Sequence, residues 1–521
     1  MVLIYTCAIA QEIYRIPGHD GSNTNTPYIL TPPESSKPRI NGPSIYGVRP
    51  GSEVLYRLTI SGESPFKLEV QNIPEGLSFD PKAGVLSGRL EERGEYVLKI
   101  SAENQHGKDS KLFKIEVGDE IALTPPMGWN SWNAWAGKVT QQNIKDAADA
   151  FINLGLYKYG WRYINIDDGW QGKRDARGII QPDLEKFPNM QRLCDHIHGL
   201  GLKVGIYSTP WVRSFQGRLG ESSGNGVGII RNEKMGWYVG DEYYEHCDVG
   251  QWEKWGIDYL KYDWNPMDLA AGRRMRKALT ASNRDIVYSV CSSIIREDPQ
   301  QWADITECFF LWRKVQEDAE SGLMAADIKD DWDMMSAIGF NMENWIKYAK
   351  PGHWNDPDML VVGSVGWGNP KPSKLTPNEQ YTQISLWSIL NAPLLLGCDL
   401  KQSGDEFTLN LLKNSEIIGV NQDEMGAMSK CIQRYGNTEV WVKDLAEGSK
   451  VVGLFNRDDN HAKVVNINWN DLEISGEYIV RDLWRQKDIG VFTDTFKAEV
   501  PVHGVIMVKI SSENLNQKNT N

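Results

Sequence analysis

Aspartates at the ends of short apolar segments are the residues of this chain best suited to chemistry. The segment Gly256–Asn265 contains Tyr-Leu-Lys-Tyr, a stretch too short for a helix, followed directly by Asp263. Asp167 and Asp168 end a second apolar segment. Carboxylates gathered in one pocket, without the spacing of a metal site, suit acid–base or nucleophilic chemistry on a neutral, polyol-like substrate. An aspartate after a strand can instead cap the next helix, and that alternative is open for all three residues.

Lys261 adds a positive charge to the first of these segments. It precedes Asp263 by two residues, so both side chains point to the same face of a strand. Its ammonium group there favours the ionised form of the carboxylate. Glycoside hydrolysis needs two carboxyl groups, one that attacks the anomeric carbon and one that protonates the leaving oxygen and then activates water. Asp263 therefore suits the nucleophile of such a reaction.

The elements that must position these aspartates alternate between strands and helices. Asn143–Leu154 and Met190–Gly199 have apolar residues at the spacing of one helix face. The candidate strands end in polar or aromatic residues, among them Trp132, Asp168, Tyr207, Asp263, Ser292 and Asp358. The sequence lacks the Gly-rich phosphate loop that is typical of open sheets that bind nucleotides. We therefore predict a closed (β/α)8 TIM barrel in which these residues meet at the carboxyl ends of the strands.

Two β regions flank the predicted barrel, which we assign to residues 119–425. Residues 11–118 contain short alternating strands separated by Pro- and Gly-containing turns. Within them, Ile73–Asp80 and Ala83–Gly88 resemble the immunoglobulin-like β-sandwich modules of bacterial carbohydrate-active proteins, and we expect a spacer or docking module rather than a second active site. Residues 426–511 are predicted to form an antiparallel β-sandwich, and residues 512–521 a disordered polar tail.

Composition narrows the function further. A formal net charge of −13 and a pI near 5.3 lack the basic footprint of a nucleic-acid-binding protein. Twenty Trp and twenty Tyr residues are compatible with stacking on sugars, although many must belong to the core. No segment is long enough to cross a bilayer. The seven cysteines show no metal-ligand spacing, so we expect neither a metal nor another cofactor.

The amino terminus predicts export. Residues 1–10 resemble the remnant of a secretory signal, because Ala8-Ile9-Ala10 forms a small-x-small cleavage site after an apolar stretch. We therefore expect a secreted or periplasmic protein. The basic region that normally begins such a signal is missing, so an ordinary apolar terminus is the alternative.

Five motifs, in the same order along the chain, resemble those of glycoside hydrolase family 27, the retaining α-galactosidases and α-N-acetylgalactosaminidases. They are Pro125–Trp132, Ile164–Trp170, Leu202–Tyr207, Tyr259–Asp263 and Trp354–Leu360. The resemblance extends from about residue 123 to the end of the carboxyl-terminal domain. It implies hydrolysis of terminal α-D-galactosides in oligosaccharides or glycans by double displacement.

The resemblance also implies roles for individual residues. Asp263 would be the nucleophile. Asp167 and Asp168 would accept hydrogen bonds from the axial and primary hydroxyls of galactose, and Trp132 would stack on the apolar face of the sugar ring. The other implied pocket residues are Tyr207, Lys261, Asp358 and Met359.

The second carboxyl group is harder to assign. In the family, an arginine in a Trp-Arg pair lies a few residues before the acid/base aspartate. Here Arg313 and Asp327 are 14 residues apart, which an insertion between them explains. We assign Asp327 as the acid/base and Arg313 as a pocket residue. Glu317, Asp318 and Asp330 are alternatives for the acid/base.

Two further departures from the family bear on the substrate. Ser292 stands where the galactosidases have a glutamate that contacts the second position of the sugar. A serine takes this place in the N-acetylgalactosaminidases, so that activity is an alternative. The insertion from Trp211 to Tyr244 is expected to form a flap over the leaving-group side, or else a mobile surface loop. A glycan-binding protein on a disabled barrel is the alternative outside the enzymes.

Overall fold

The structure is a computed structural model that describes residues 13–291, 298–310 and 327–512. It contains an amino-terminal β-sandwich, a central parallel barrel and a carboxyl-terminal antiparallel β domain, in that order. This confirms the predicted fold class. Within the described ranges, no helix has the length and apolar character that a membrane span requires.

The amino-terminal module consists of two main sheets packed around a shared core. In Gly107–Val117, Phe113 and Ile115 are buried, whereas Leu112 is exposed on the other face. This is the period of two expected of a strand with one covered face. The four-stranded sheet has the spatial order Ile45–Val48, Gly107–Val117, Gly94–Asn104 and Lys67–Gln71. The three-stranded sheet has the order Glu53–Arg57, Val85–Arg89 and Leu77–Asp80, and Arg39–Ile40 pairs separately with Ile60–Ser61.

Eight parallel strands form the barrel. Their spatial order is Trp354–Asn355, Cys308–Phe310, Val287–Cys291, Tyr259–Asp263, Lys203–Ser208, Tyr163–Asn165, Met127–Asn130 and Leu394–Leu396. A parallel bridge between Leu360 and Leu396 joins the two ends of this sheet. The Leu360 N–H donates to the Leu395 carbonyl, and the Gly397 N–H donates to the Leu360 carbonyl. The sheet is therefore closed, and the carboxyl ends of all eight strands surround one opening.

Helices surround these strands. The described helices are Trp132–Trp135, Gln141–Asn153, Met190–Gly199, Glu245–Trp255, Leu269–Thr280, Pro299–Ala303, Trp332–Asn341, Pro377–Ile389, Glu406–Leu412 and Ser415–Asn421. The predicted helix at Asn143–Leu154 begins two residues earlier, because Thr140 and Asn143 form a capping box. The helix predicted at Met190–Gly199 is confirmed with these bounds.

The carboxyl-terminal domain packs one sheet against a smaller one. The six-stranded sheet has the order Lys430–Tyr435, Thr438–Asp444, Lys450–Asn456, Val505–Ser511, Tyr478–Asp482 and Lys487–Phe492. Lys463–Asn468 pairs with Thr495–Val500. Three hairpins project from the barrel: Gln171–Arg174 with Ile180–Pro182, Ser222–Asn232 with Trp237–Tyr243, and Ser364–Val365 with Lys371–Pro372.

The amino-terminal module covers the amino ends of the barrel strands. Lys203, at the start of its strand, donates to the Tyr46 hydroxyl at 3.0 Å. Arg49 pairs with Asp285 at 2.6 Å, and Glu53 pairs with Arg284 at 2.7 Å. These contacts leave the opposite end of the barrel uncovered by this module.

Candidate active site

A cavity of about 380 Å³ opens at the carboxyl ends of the barrel strands, within the usual size of small-molecule sites. Seven of the predicted site residues line it: Trp132, Asp167, Asp168, Tyr207, Lys261, Asp263 and Asp327. Five further described residues that the sequence did not single out also line it: Phe215, Arg231, Asn265, Lys329 and Trp367. The barrel thus brings together residues as far apart in the chain as Trp132 and Trp367, which are separated by 235 positions.

Asp263 ends the strand Tyr259–Asp263 and is 8 % exposed. The Tyr207 hydroxyl donates to its Oδ2 at 3.4 Å. The next helix begins at Leu269 and is capped by Asp268, whose side chain accepts from the Ala270 N–H at 2.9 Å. The helix-cap alternative for Asp263 is therefore wrong, and its carboxylate faces the cavity.

Lys261 and Asp167 form a buried ion pair with an Nζ–Oδ2 distance of 2.7 Å. Burial disfavours the Lys261 ammonium, but Asp167, followed by Cys291, Asp263 and Asp327, outweighs burial and holds the Lys261 pKa above its usual value. The ammonium group therefore interacts electrostatically with three carboxylates of the cavity. Ser131 accepts from the Asp167 N–H at 2.9 Å, which fixes the backbone at this position.

Asp168 is held by two donors from the insertion. Its Oδ1 accepts from the Ser214 hydroxyl at 2.8 Å, and its Oδ2 accepts from the Gln216 N–H at 2.9 Å. Burial raises the Asp168 pKa to about 7, with Asp167 and Asp263 acting in the same direction against the two donors. The helix that follows is capped by Asn189, so the cap alternative is also wrong for the Asp167–Asp168 pair.

Asp327 lines the same cavity as the ion pair. The Trp132 indole Nε1 donates to Asp327 Oδ2 at 2.8 Å, so this tryptophan orients a carboxyl group besides offering its ring to a ligand. The alternative Asp330 is buried elsewhere and accepts from the Lys374 N–H at 3.0 Å. The geometry therefore favours Asp327 over Asp330, while Glu317 and Asp318 lie outside the described residues.

Two predicted pocket residues, Asp358 and Met359, are not among the described residues that line the cavity. Asp358 is buried behind the segment that carries Asp327, and its Oδ2 accepts from the Ile328 N–H at 2.9 Å. Met359 is buried in the barrel core. Ser292 and Arg313 lie outside the described residues.

The insertion from Trp211 to Tyr244 forms part of the cavity wall, which the sequence motifs did not indicate. Trp237, on the hairpin, stacks on Trp211 with 5.9 Å between ring centroids and 19° between planes. Its indole Nε1 donates to the Ser214 carbonyl at 3.3 Å, so the hairpin supports the loop that holds Asp168. Arg231, on the same hairpin, reaches the cavity. The three aromatic residues at 211, 215 and 237 were the available signal that this insertion is an ordered part of the site.

The described residues that line the cavity supply four carboxyl groups, the buried Lys261 ammonium, the exposed cations Arg231 and Lys329, an asparagine and aromatic rings. In the part of the chain that the structure describes, no group of three His, Cys, Asp or Glu side chains is arranged to hold a metal ion. Carboxylates accept hydrogen bonds from hydroxyl groups, and ring faces pack on the C–H faces of sugars. The arrangement therefore suits acid–base and nucleophilic chemistry on a polyhydroxylated ligand.

Comparison with known sequence families gives three matches. The family described as alpha galactosidase A matches residues 124–423, and the alpha galactosidase C-terminal beta sandwich domain matches residues 435–510. An Ig domain family matches residues 22–118. Together the three matches span nearly all of the described chain.

Individual proteins agree with these matches. Alpha-galactosidase 2 of Arabidopsis thaliana is 35 % identical over 76 % of this chain and 92 % of its own length. The alpha-galactosidase of Cyamopsis tetragonoloba is 33 % identical over 81 % and 93 %. A crystal structure from Bacteroides fragilis NCTC 9343 superposes with a TM-score of 0.80 at 31 % identity, over 93 % of this chain and all of the other. Alpha-galactosidase I of Mortierella vinacea superposes with a TM-score of 0.63 at 30 % identity, over 75 % and 98 %.

Proposed function

The chain belongs to the alpha galactosidase A family and is a glycosidase of the α-galactosidase type, and from this premise we propose that it removes terminal α-D-galactosyl residues from oligosaccharides or glycans with retention of configuration. One observation carries the proposal: Asp263 and Asp327 line the same cavity, beside the Lys261–Asp167 ion pair. Two carboxyl groups on either side of a glycosidic bond are what a retaining hydrolase needs.

In the first step, the Asp263 carboxylate attacks the anomeric carbon while the Asp327 carboxyl group gives its proton to the leaving oxygen. The bond from the anomeric carbon to that oxygen breaks, and a galactosyl ester of Asp263 forms. In the second step, the Asp327 carboxylate takes a proton from water, whose oxygen attacks the same carbon and releases Asp263. The Trp132 indole N–H donates to Asp327 and holds the orientation of its carboxyl group in both steps.

The other carboxylates account for binding of the sugar. Asp167 and Asp168 are each 1 % exposed in the free protein, where they are held by Lys261 and by Ser214 with Gln216. Their remaining acceptor positions suit hydroxyl donors of a galactosyl ring. The Trp132 ring is only partly buried and offers a face for stacking.

Replacing the nucleophile tests the proposal most directly. Asp263→Asn keeps the shape of the side chain but removes the attacking charge, so we expect kcat for p-nitrophenyl α-galactoside to fall by about 10⁴-fold or more. The matched control is Asp330→Asn, at a buried carboxylate outside the cavity, which we expect to be active. NMR of the wild-type reaction should show α-galactose as the first product. An initial β-product, or an Asp263→Asn enzyme of undiminished rate, would contradict the proposal.

Replacing the acid/base gives a different signature. Asp327→Ala should slow disaccharide hydrolysis by about 10²- to 10⁴-fold, because an alkoxide needs a proton to leave. Nitrophenolate needs less help, so aryl galactosides should be affected less, and azide should restore turnover by attacking the galactosyl ester without a base. If Asp330→Ala shows this rescue and Asp327→Ala does not, the assignment of the two aspartates is reversed. Parallel assays with the 2-acetamido analogue measure the preference at the second position of the sugar.

A further inference from the structure

We propose that the natural leaving group carries an anionic substituent, such as the carboxylate of a uronic acid or a sulfate ester, bound by Arg231 and Lys329 at the rim of the cavity. The inference rests on the proposed function, since it concerns the part of the substrate on the far side of the galactosidic bond. Both cations line the cavity and both have exposed side chains.

Their place in the chain assigns them to the leaving-group side. Lys329 lies two residues beyond Asp327, the group proposed to protonate the leaving oxygen. Arg231 donates from Nη1 to the carbonyl of Asn265 at 3.1 Å, and Asn265 lies two residues beyond the nucleophile. The sugar end of the cavity is instead defined by Asp167 and the residues around it. A group attached to the glycosidic oxygen therefore emerges near both cations.

The guanidinium of Arg231 is held in place by the hairpin. It lies over the ring of Trp237 at 5.3 Å and the ring of Phe215 at 5.7 Å, within cation–π distance. Its contact with the Asn265 carbonyl bridges the hairpin to the loop after the nucleophile. A guanidinium has five N–H donors in a planar fork that matches a carboxylate or sulfate. Because these contacts already restrict the Arg231 side chain, binding an oxyanion costs little additional side-chain entropy.

The charge pattern of the cavity separates its two ends. At the end of the cavity that binds the sugar, Lys261 forms an ion pair with Asp167 of the protein itself. Lys329 forms no ion pair with the carboxylates that the structure describes. The protein has a formal net charge of −13, which on its own disfavours the approach of an anion, whereas Arg231 and Lys329 at the rim are positively charged. These two side chains would attract an anionic leaving group and would give a neutral one no such advantage.

A matched pair of disaccharides tests the proposal. The two substrates are α-galactosyl-glucose and α-galactosyl-glucuronic acid of the same linkage, which differ only in a hydroxymethyl or carboxylate group, and a third arm carries glucose 6-sulfate. We expect wild-type kcat/KM to favour an anionic substrate by about five-fold per cation, and up to about thirty-fold for both. The third arm shows whether the carboxylate or the sulfate is the better fit. The preference should largely vanish in about 1 M sodium chloride, where charges are screened over about 3 Å.

The variants assign the preference to the two side chains. Arg231→Gln/Lys329→Gln should bring the ratio of the two kcat/KM values to about one. The matched control is Arg177→Gln/Lys401→Gln, which removes the same charge from side chains 77 % and 75 % exposed outside the cavity, and it should keep the wild-type ratio. Equal kcat/KM for the neutral and both anionic substrates in the wild type, or a preference that survives in the rim variant, overturns the inference alone. Failure to cleave either disaccharide or p-nitrophenyl α-galactoside overturns the proposed function and the inference with it.

Discussion

The pKa of a buried aspartate is shifted in opposite directions at the two ends of the barrel. Asp258 lies at the amino ends of the strands, where its Oδ1 accepts from Arg284 at 2.6 Å and its Oδ2 accepts from His198 at 3.0 Å. Burial alone would raise its pKa, but the charges of Arg284, His198 and Lys203 hold that pKa well below its usual range. At the carboxyl ends, burial raises the Asp168 pKa to about 7. Both residues are buried aspartates, so the difference between their pKa values comes from the neighbouring charges.

This contrast separates stability from chemistry within one barrel. At the amino ends, Arg284 links Asp258 to Glu53, so each charge has a partner and the network joins the barrel to the amino-terminal module. At the carboxyl ends, four carboxylates line one cavity beside a single buried lysine. Crowded carboxylates destabilise the free protein, and they are tolerated where a ligand uses them. The residues that stabilise the fold and the residues that line the active-site cavity thus lie at opposite ends of the same strands.

The largest effect on stability is expected at the amino ends. Asp258→Asn leaves the charges of Arg284 and Lys203 buried without their carboxylate, so we expect the free energy of unfolding to fall by about 3–5 kcal/mol. Urea denaturation followed by tryptophan fluorescence measures this change. The activity of the folded enzyme should be retained, because Asp258 lies outside the cavity. Asp168→Asn is the matched variant at the other end and should lose sugar binding without such a loss of stability.

The pH dependence of stability sharpens the comparison with a smaller effect. The unfolded chain releases the Asp168 proton near pH 4, whereas the folded protein holds it to about pH 7. The folded state therefore binds more protons between these values, and this residue makes stability fall as the pH rises from about 4 to about 7, by up to about 4 kcal/mol. Asp168→Asn should remove this slope. For Asp258, whose folded pKa is depressed, the contribution is present above about pH 4 and is lost as the pH falls.

Denaturation of the wild type and both variants at a series of pH values checks the two signs together. The advantage of Asp168→Asn over the wild type should grow between about pH 4 and pH 7, whereas the deficit of Asp258→Asn should shrink below about pH 4. Parallel curves for the two variants would mean that the two ends do not differ in the way described above.

Local sequence patterns were sufficient to predict several parts of the site. The strand before Asp263, the shared face of Lys261 and Asp263, and the alternation of strands and helices all depend on residues close in the chain. Tryptophan content was a weaker guide, because eleven tryptophans among the described residues are fully buried. The choice between a catalytic and a capping role for Asp263 needed the structure, which shows Asp268 as the cap.

Other parts depended on distant segments that only the folded barrel brings together. Ser214 and Gln216 hold Asp168 from an insertion about 46 residues away, and Trp132 donates to Asp327 across 195 positions. Asp358 illustrates the converse, since its motif marks it as a pocket residue but packing places it behind Ile328.

The order of amino acids alone was enough to predict which residue types stand at the ends of which strands, because strand and helix periodicities are properties of neighbouring residues. Only the tertiary structure decided which of those ends share a cavity and which charges surround each carboxylate. A pKa is set by burial and by charges within a few ångströms, and those distances exist only once the eight strands have closed. Asp258 and Asp168 therefore look alike in the sequence and differ in the folded protein.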